Sequence, residues 1–220
     1  MEQTTSRSAA IRDGLGVGLA VGLSGVAFGA AAITAGLSVP QACVLSLLAF
    51  TGASQFALTG AVGAGGDLLS ATSGALLLGG RNTLYGLRMA DVLKVSGPRR
   101  LVAAHGVIDE TTAVALAQPT PEAARAGFAT TFGTLYVTWN LTTLAGALGT
   151  SALGDPGMLG LDVVGPATFL AILWPRLAGS AELRWLAVGG VAIALLATPF
   201  FPPGVPVLLS ALAVLVVLAR

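Results

Sequence analysis

The stretch GLGVGLAVGLSGVAFGAAAITAGLSVPQACVLSLLAFTGASQFALTGAVGAGG, residues 14–66, runs from Asp13 to Asp67 without a formal charge. A charge at the centre of a bilayer costs a few kcal/mol or more and a crossing helix needs about 20 apolar residues, so this interval holds two candidate membrane segments. Gly36-Leu37-Ser38-Val39-Pro40 divides it, which predicts helices over 14–35 and 39–62. Thr51-Gly52-Ala53-Ser54-Gln55 interrupts the second with small and polar residues, so 39–62 is the natural candidate for a re-entrant segment.

The whole chain reads the same way. Of 220 residues, 55% are hydrophobic and 10% charged, against roughly 25% charged in a soluble domain. Thirty glycines and few aromatics suit helices that approach closely through small residues. The ~10-residue alternation of a lipid-spanning β-barrel does not occur. The expected fold is an all-α, polytopic transmembrane bundle of about six to eight segments, with further candidates at 67–87, 101–118, 126–153, 161–178, 182–201 and 204–220. Residues 1–13 form a cytoplasmic N-terminus and 14–220 one integral membrane transporter domain. The apolar run from Gly14 to Ala35 exceeds the ~7–15 residues of a signal-peptide core and reads as a retained first helix.

Arg7 and Arg12 precede that helix and set the N-terminus inside. If one of the runs 39–62 and 67–87 is re-entrant, Arg88, Lys94, Arg99, Arg100, Arg125, Arg176, Arg184 and Arg220 all fall on the cytoplasmic side; otherwise 101–118 must cross to restore the phase. Val39–Leu45 resembles Gly165–Ala171, and each follows a long glycine-rich helix, which suggests an internal repeat with broken or re-entrant helices near Pro40 and Pro166.

A net charge of +1 gives no reason to expect nucleic acid, and one cysteine (Cys43) with one histidine excludes a Cys/His zinc cluster. No cofactor or metal is expected. Function should lie in polar residues inside the spans, because burying them unpaired costs free energy. Ser54 and Gln55, beside Gly52, can offer an unwound turn to a zwitterion or a hydrogen bond between helices. Trp139 and Asn140 lie too deep in 126–153 for an interfacial belt and face the interior. Arg81 can hold a carboxylate or snorkel to headgroups. His105 and Asp109, at i and i+4, would share a helix face; with Glu110 they make either a proton relay or a solvated helix. Asp162, ahead of Pro166, is a helix-terminal charge or a coupling group.

Two enzyme readings arise. Gly22-Leu23-Ser24-Gly25 fits the G-x-S-G of rhomboid proteases, with His105 as the available base, though a serine here can equally bond its own helix backbone. No phosphate-binding G-x-x-x-x-G-K-[ST] loop occurs, so ATP is not the expected energy source. The chain is expected not to be an enzyme. A transporter, an intramembrane protease and a scaffold or channel subunit are the competing classes.

Phe28-Gly29, Gly36-Leu37-Ser38, Ser46 and Gly52-Ala53-Ser54-Gln55-Phe56, followed by Arg81 with Leu84-Tyr85-Gly86, Asp109-Glu110, Trp139 with Gly146, and Gly160-Leu161-Asp162 with Pro166-Ala167-Thr168-Phe169, resemble in this order the AzlC family. That family is the large subunit of a bacterial branched-chain amino acid exporter. Gly79 and Asn82 depart from it where asparagine and histidine are frequent. The resemblance implies proton-driven export of branched-chain or similar amino acids, a location in the bacterial inner membrane, and a small hydrophobic partner of the AzlD type. From the polar residues and breaks themselves, the candidates are Gly52, Ser54, Gln55, Trp139, Asn140 and Pro166 for substrate, and Arg81, Asp109, Glu110 and Asp162 for coupling or gating.

Overall fold

The computed structural model describes residues 2–153, 167, 170, 173, 174, 177–201 and 205–218. Among them the chain is built of helices: α1 (Glu2–Gly22), α2 (Gly25–Thr34), α3 (Val39–Leu48), α4 (Ala53–Gly63), α5 (Leu68–Gly79), α6 (Arg81–Leu93), α7 (Pro98–His105), α8 (Asp109–Leu116), α9 (Pro121–Ala152), α10 (Ala181–Ala197), α11 (Val205–Ser210) and α12 (Ala213–Leu218). Asp162 and Pro166, and with them the second copy of the suggested 39–45/165–171 repeat, lie outside the described residues.

α1 and α2 form one rod, kinked at Leu23-Ser24, where Ser24 N–H turns back to the Val21 carbonyl. Ser6–Thr34, 29 residues, is long and apolar enough to cross a membrane; among the described residues no other helix meets both conditions. The rod lies along α9, the longest helix at 32 residues and ~48 Å. Its glycines set the register. A Cβ on Gly14 would sit 3.0 Å from Thr131 N, one on Gly18 would sit 2.8 Å from Thr134 Cβ, and one on Gly22 would sit 2.6 Å from Thr138 Cβ. Further along, Gly25 meets Thr142, Gly29 meets the Thr143 carbonyl, and Gly146 of α9 meets the Val26 carbonyl. Both numberings rise together, so the two rods are parallel. Thr142 Oγ1 donates to the Gly22 carbonyl at 2.6 Å across this seam, a bond that only close backbones allow.

Two segments enter the bundle and return. α3 and α4 begin and end together: a Cβ on Gly63 would sit 3.1 Å from Ala35 Cβ, while the turn between them, Ala49–Gly52, reaches the middle of α9, where Tyr136 OH donates to the Leu47 carbonyl. The interruption expected in 39–62 is therefore present, but Ser54 and Gln55 belong to the first turn of α4. α5, capped by Asp67, whose carboxylate accepts from Ser70 N–H, then runs to the opposite end through α6. Hydrogen bonding to Ser70 holds the exposed Asp67 carboxyl below the usual range.

α7 and α8 repeat the manoeuvre from that opposite end. Gly106 at their turn lies against Phe132, while Val114 of α8 is back beside Gly127 and Ala10 near the start of α1. The single helix expected over 101–118 is thus two half-helices, and His105 and Asp109 do not share a face. His105 closes α7 and Asp109 opens α8, with Gly106-Val107-Ile108 between them. The run 67–87 is also broken, at Gly80. Arg125 donates from Nε to the Val92 carbonyl, so Arg125, the end of α6 and the start of α1 share one end of the bundle.

The interior mixes apolar and polar side chains: Ser46, Thr59, Thr111, Thr131, Thr143 and Thr150 are buried beside Phe28, Phe56, Met89, Leu135 and Trp139, while Leu69, Leu76, Leu101, Leu141 and Leu195 are exposed, Leu69 at 78%. A soluble domain rarely leaves so much large apolar side chain on its surface.

The seam gives a test. Gly29→Val should lower the thermal stability of the detergent-solubilised protein by about 2–3 kcal/mol, because the Thr143 backbone cannot move aside. Gly16→Ala, where a Cβ meets nothing within 4 Å, should be neutral or stabilising. Equal melting shifts for both would refute the close-approach account.

Candidate functional site

The helix breaks gather at one height. On α9, Phe132 and Tyr136 meet His105 at 6.4 and 5.6 Å between ring centroids, Tyr136 meets Phe50 at 5.0 Å, and Trp139 meets Phe28 at 5.9 Å. Phe132 to Trp139 is about two helical turns, roughly 10 Å. The two hairpin tips touch directly, Phe50 against His105 at 5.9 Å.

Each tip frees backbone groups that must be met locally, since solvent is remote. Gln55, 1% exposed, does this at the first: Oε1 accepts from Gly52 N–H at 3.0 Å and Nε2 donates to the Leu45 carbonyl at 3.1 Å. Gly52 itself has φ +60°, where a side chain is strained. Thr111 does the same at the second tip. Its Oγ1 accepts from Ile108 N–H at 3.1 Å and donates to the Gly106 carbonyl at 2.6 Å. Both residues are at the third position of the returning half-helix, and both are spent on their own tip.

Between the tips lies an ion pair. Arg81 opens α6 after Gly80, and its Nη2 is 2.8 Å from Asp109 Oδ2 at the start of α8. Arg81 is thus paired within the chain, with a partner that sequence spacing did not offer. The pair meets at one point rather than as a fork, and Arg81 Nε and Asp109 Oδ1 are buried with no hydrogen-bond partner. Other buried polar atoms in the same condition are Thr51 Oγ1, Ser54 Oγ, Asn82 Oδ1, Thr112 Oγ1, Trp139 Nε1 and Asn140 Oδ1. Ser54 borders Gly79, and Asn140 uses only its amide nitrogen, donating to the Tyr136 carbonyl at 2.8 Å. Each such atom costs about 1–3 kcal/mol unless something meets it, and both donors and acceptors are among them.

Of the residues singled out from sequence, Gly52, Ser54, Gln55, Arg81, Asp109, Trp139 and Asn140 therefore share this level, and Glu110 stands half-buried in the first turn of α8. Thr51, Asn82, Thr111 and Thr112 were missed. Gly106 followed by Asp109 and Glu110 is the acidic opening of a new helix and could have revealed the second break. Ser24 Oγ donates to the Val21 carbonyl at 2.6 Å, the helix-backbone alternative to a nucleophile, and His105 is surrounded by Phe50, Phe132 and Tyr136.

Buried polar groups inside a bundle with an apolar exterior, and half-helices meeting within it, suit a membrane protein of transporter type. The comparisons name its family: the AzlC protein family matches residues 16–153, the span from α1 to the end of α9. An uncharacterized membrane protein of Archaeoglobus fulgidus is 33% identical over 199 residues, covering 86% of each chain. No solved structure matches. The chain belongs to the AzlC family.

The second tip gives a test of its own. Thr111→Val keeps the shape but leaves Ile108 N–H and the Gly106 carbonyl unmet, at a cost of about 1–3 kcal/mol. Hydrogen exchange should accelerate at residues 106–112 and stay unchanged in α9. Uniform acceleration, or none, would refute a local staple.

Proposed function

We propose that this chain is the substrate-carrying subunit of a secondary transporter that exports branched-chain or related amino acids, coupled to protons, together with a small hydrophobic membrane subunit. The observation that carries the reading is the Arg81–Asp109 pair, whose Nε and Oδ1 are buried and unmet, as are polar atoms of Ser54, Asn82, Trp139 and Asn140. An amino acid presents a carboxylate, an ammonium group and an apolar side chain, and this level of the bundle offers donors, acceptors and the rings of Phe28, Phe56 and Trp139. Membership in the AzlC family supports the same substrate class. The chain acts without covalent catalysis and needs no cofactor.

Each half-helix of the α3/α4 hairpin is 10 or 11 residues, about 15–17 Å, half the ~30 Å hydrocarbon thickness. With both ends of each hairpin at one face, 39–62 enters from outside and 98–118 from inside. The Lys/Arg of residues 88–100 then stay on the side of Arg7 and Arg12, as the positive-inside rule requires. The chain resides in the cell membrane as a multi-pass protein with its N-terminus in the cytoplasm. Asp109 is the candidate proton carrier of the described residues, with Glu110 beside it; Asp162 has the same candidacy further along the chain.

In a Cys43→Ala background, Ser96→Cys should react only with reagent on the cytoplasmic side and Ala64→Cys only with reagent outside. Reversed or shared accessibility would overturn the topology. Vesicles holding the chain and its small membrane subunit should move leucine or valine down an imposed proton gradient. Gln55→Leu, by opening the first tip, should lower that flux about tenfold or more. Wild-type vesicles with no amino acid flux would sink the exporter reading.

A further inference from the structure

We propose that the Arg81–Asp109 pair is the receptor for both charged ends of the amino acid, Arg81 Nε taking the carboxylate and Asp109 Oδ1 the ammonium group, with the ligand lying across the intact pair. The inference rests on the amino acid transporter reading and adds to it the atoms that hold the substrate. Guanidinium and carboxylate frequently meet as a fork, which uses two nitrogens and both oxygens. Here one contact, Nη2 to Oδ2 at 2.8 Å, leaves a donor on the cation and an acceptor on the anion, both buried and both unmet. The two open atoms have the polarity of a zwitterion reversed, so a ligand with adjacent carboxylate and ammonium groups completes a four-charge ring.

Charge bookkeeping favours this class of ligand over its singly charged analogues. The pair is neutral, and a zwitterion keeps the site neutral. An anion or a cation would leave a net charge at a pair whose side chains are only 34% and 29% exposed, where desolvation still carries a cost. Position agrees as well. Each partner opens a helix that follows a break, Arg81 after Gly80 and Asp109 after Gly106-Val107-Ile108, so a small change at either break can part the pair and release the ligand to one end.

Binding by the detergent-solubilised full chain with its small subunit, using leucine, leucinamide (no carboxylate) and 4-methylpentanoate (no ammonium group), tests the assignment. Wild type should bind leucine at least about tenfold tighter than either analogue. Arg81→Gln should erase the preference over leucinamide and keep that over 4-methylpentanoate, and Asp109→Asn should do the converse. A bystander ion pair would weaken all three ligands alike, which overturns the proposal. Should a lone buried charge prevent either single variant from folding, Arg81→Gln/Asp109→Asn removes both charges together and should fold without measurable leucine binding. Leucine binding retained in the double variant, or analogues bound as well as leucine by wild type, would also overturn it. If wild type binds no amino acid at all, it is the transporter reading that fails.

Discussion

Backbone-to-backbone approach between the α1–α2 rod and α9 is the interaction on which the rest depends. Glycines at 14, 18, 22, 25 and 29 face threonines and the α9 backbone at distances no side chain would allow. Where the outer surface is apolar, helices gain little from hiding apolar area from one another, so association must come from contact at short range and from hydrogen bonds such as Thr142 to the Gly22 carbonyl. That contact makes α9 a straight, unbroken reference against which shorter elements can stop halfway. Phe132, Tyr136 and Trp139 then project from it at the height where the other helices break.

Half-helices in such an interior create a debt of unmet peptide groups, and the two tips settle it by the same device. Gln55 and Thr111 each join an N–H of their own turn to a nearby carbonyl. The larger pattern is repeated too. A long element followed by a hairpin, α1–α2 then α3/α4, recurs in the opposite direction as α5–α6 then α7/α8. This inverted pair occupies the first half of the chain, apart from the match between residues 39–45 and 165–171. Inverted units of this kind present equivalent surfaces to opposite ends, the geometry that alternating access uses.

With Gln55 and Thr111 committed to the tips, the buried polar atoms left unmet include Arg81 Nε and Asp109 Oδ1 of the ion pair between α6 and α8. The two hairpins meet at this height through the rings of Phe50 and His105.

Composition and charge spacing alone determined that the chain is an all-helical bundle with an apolar exterior, because a residue's cost in hydrocarbon is a property of its type. They also marked Thr51–Gln55 as a break, since glycine beside polar residues in an apolar run is a local signal. The family, too, was legible in ordered motifs such as Gly52–Phe56 and Asp109-Glu110. The second break was hidden because residues 101–118 keep helical composition on both sides of Gly106, and periodicity does not say whether a chain continues or turns back. Nor could sequence distance pair Arg81 with Asp109, or show that Gln55 is bound to its own turn. Those outcomes depend on which groups lie within about 3 Å after folding, and only the stacking of two opposed hairpins on α9 brings them there.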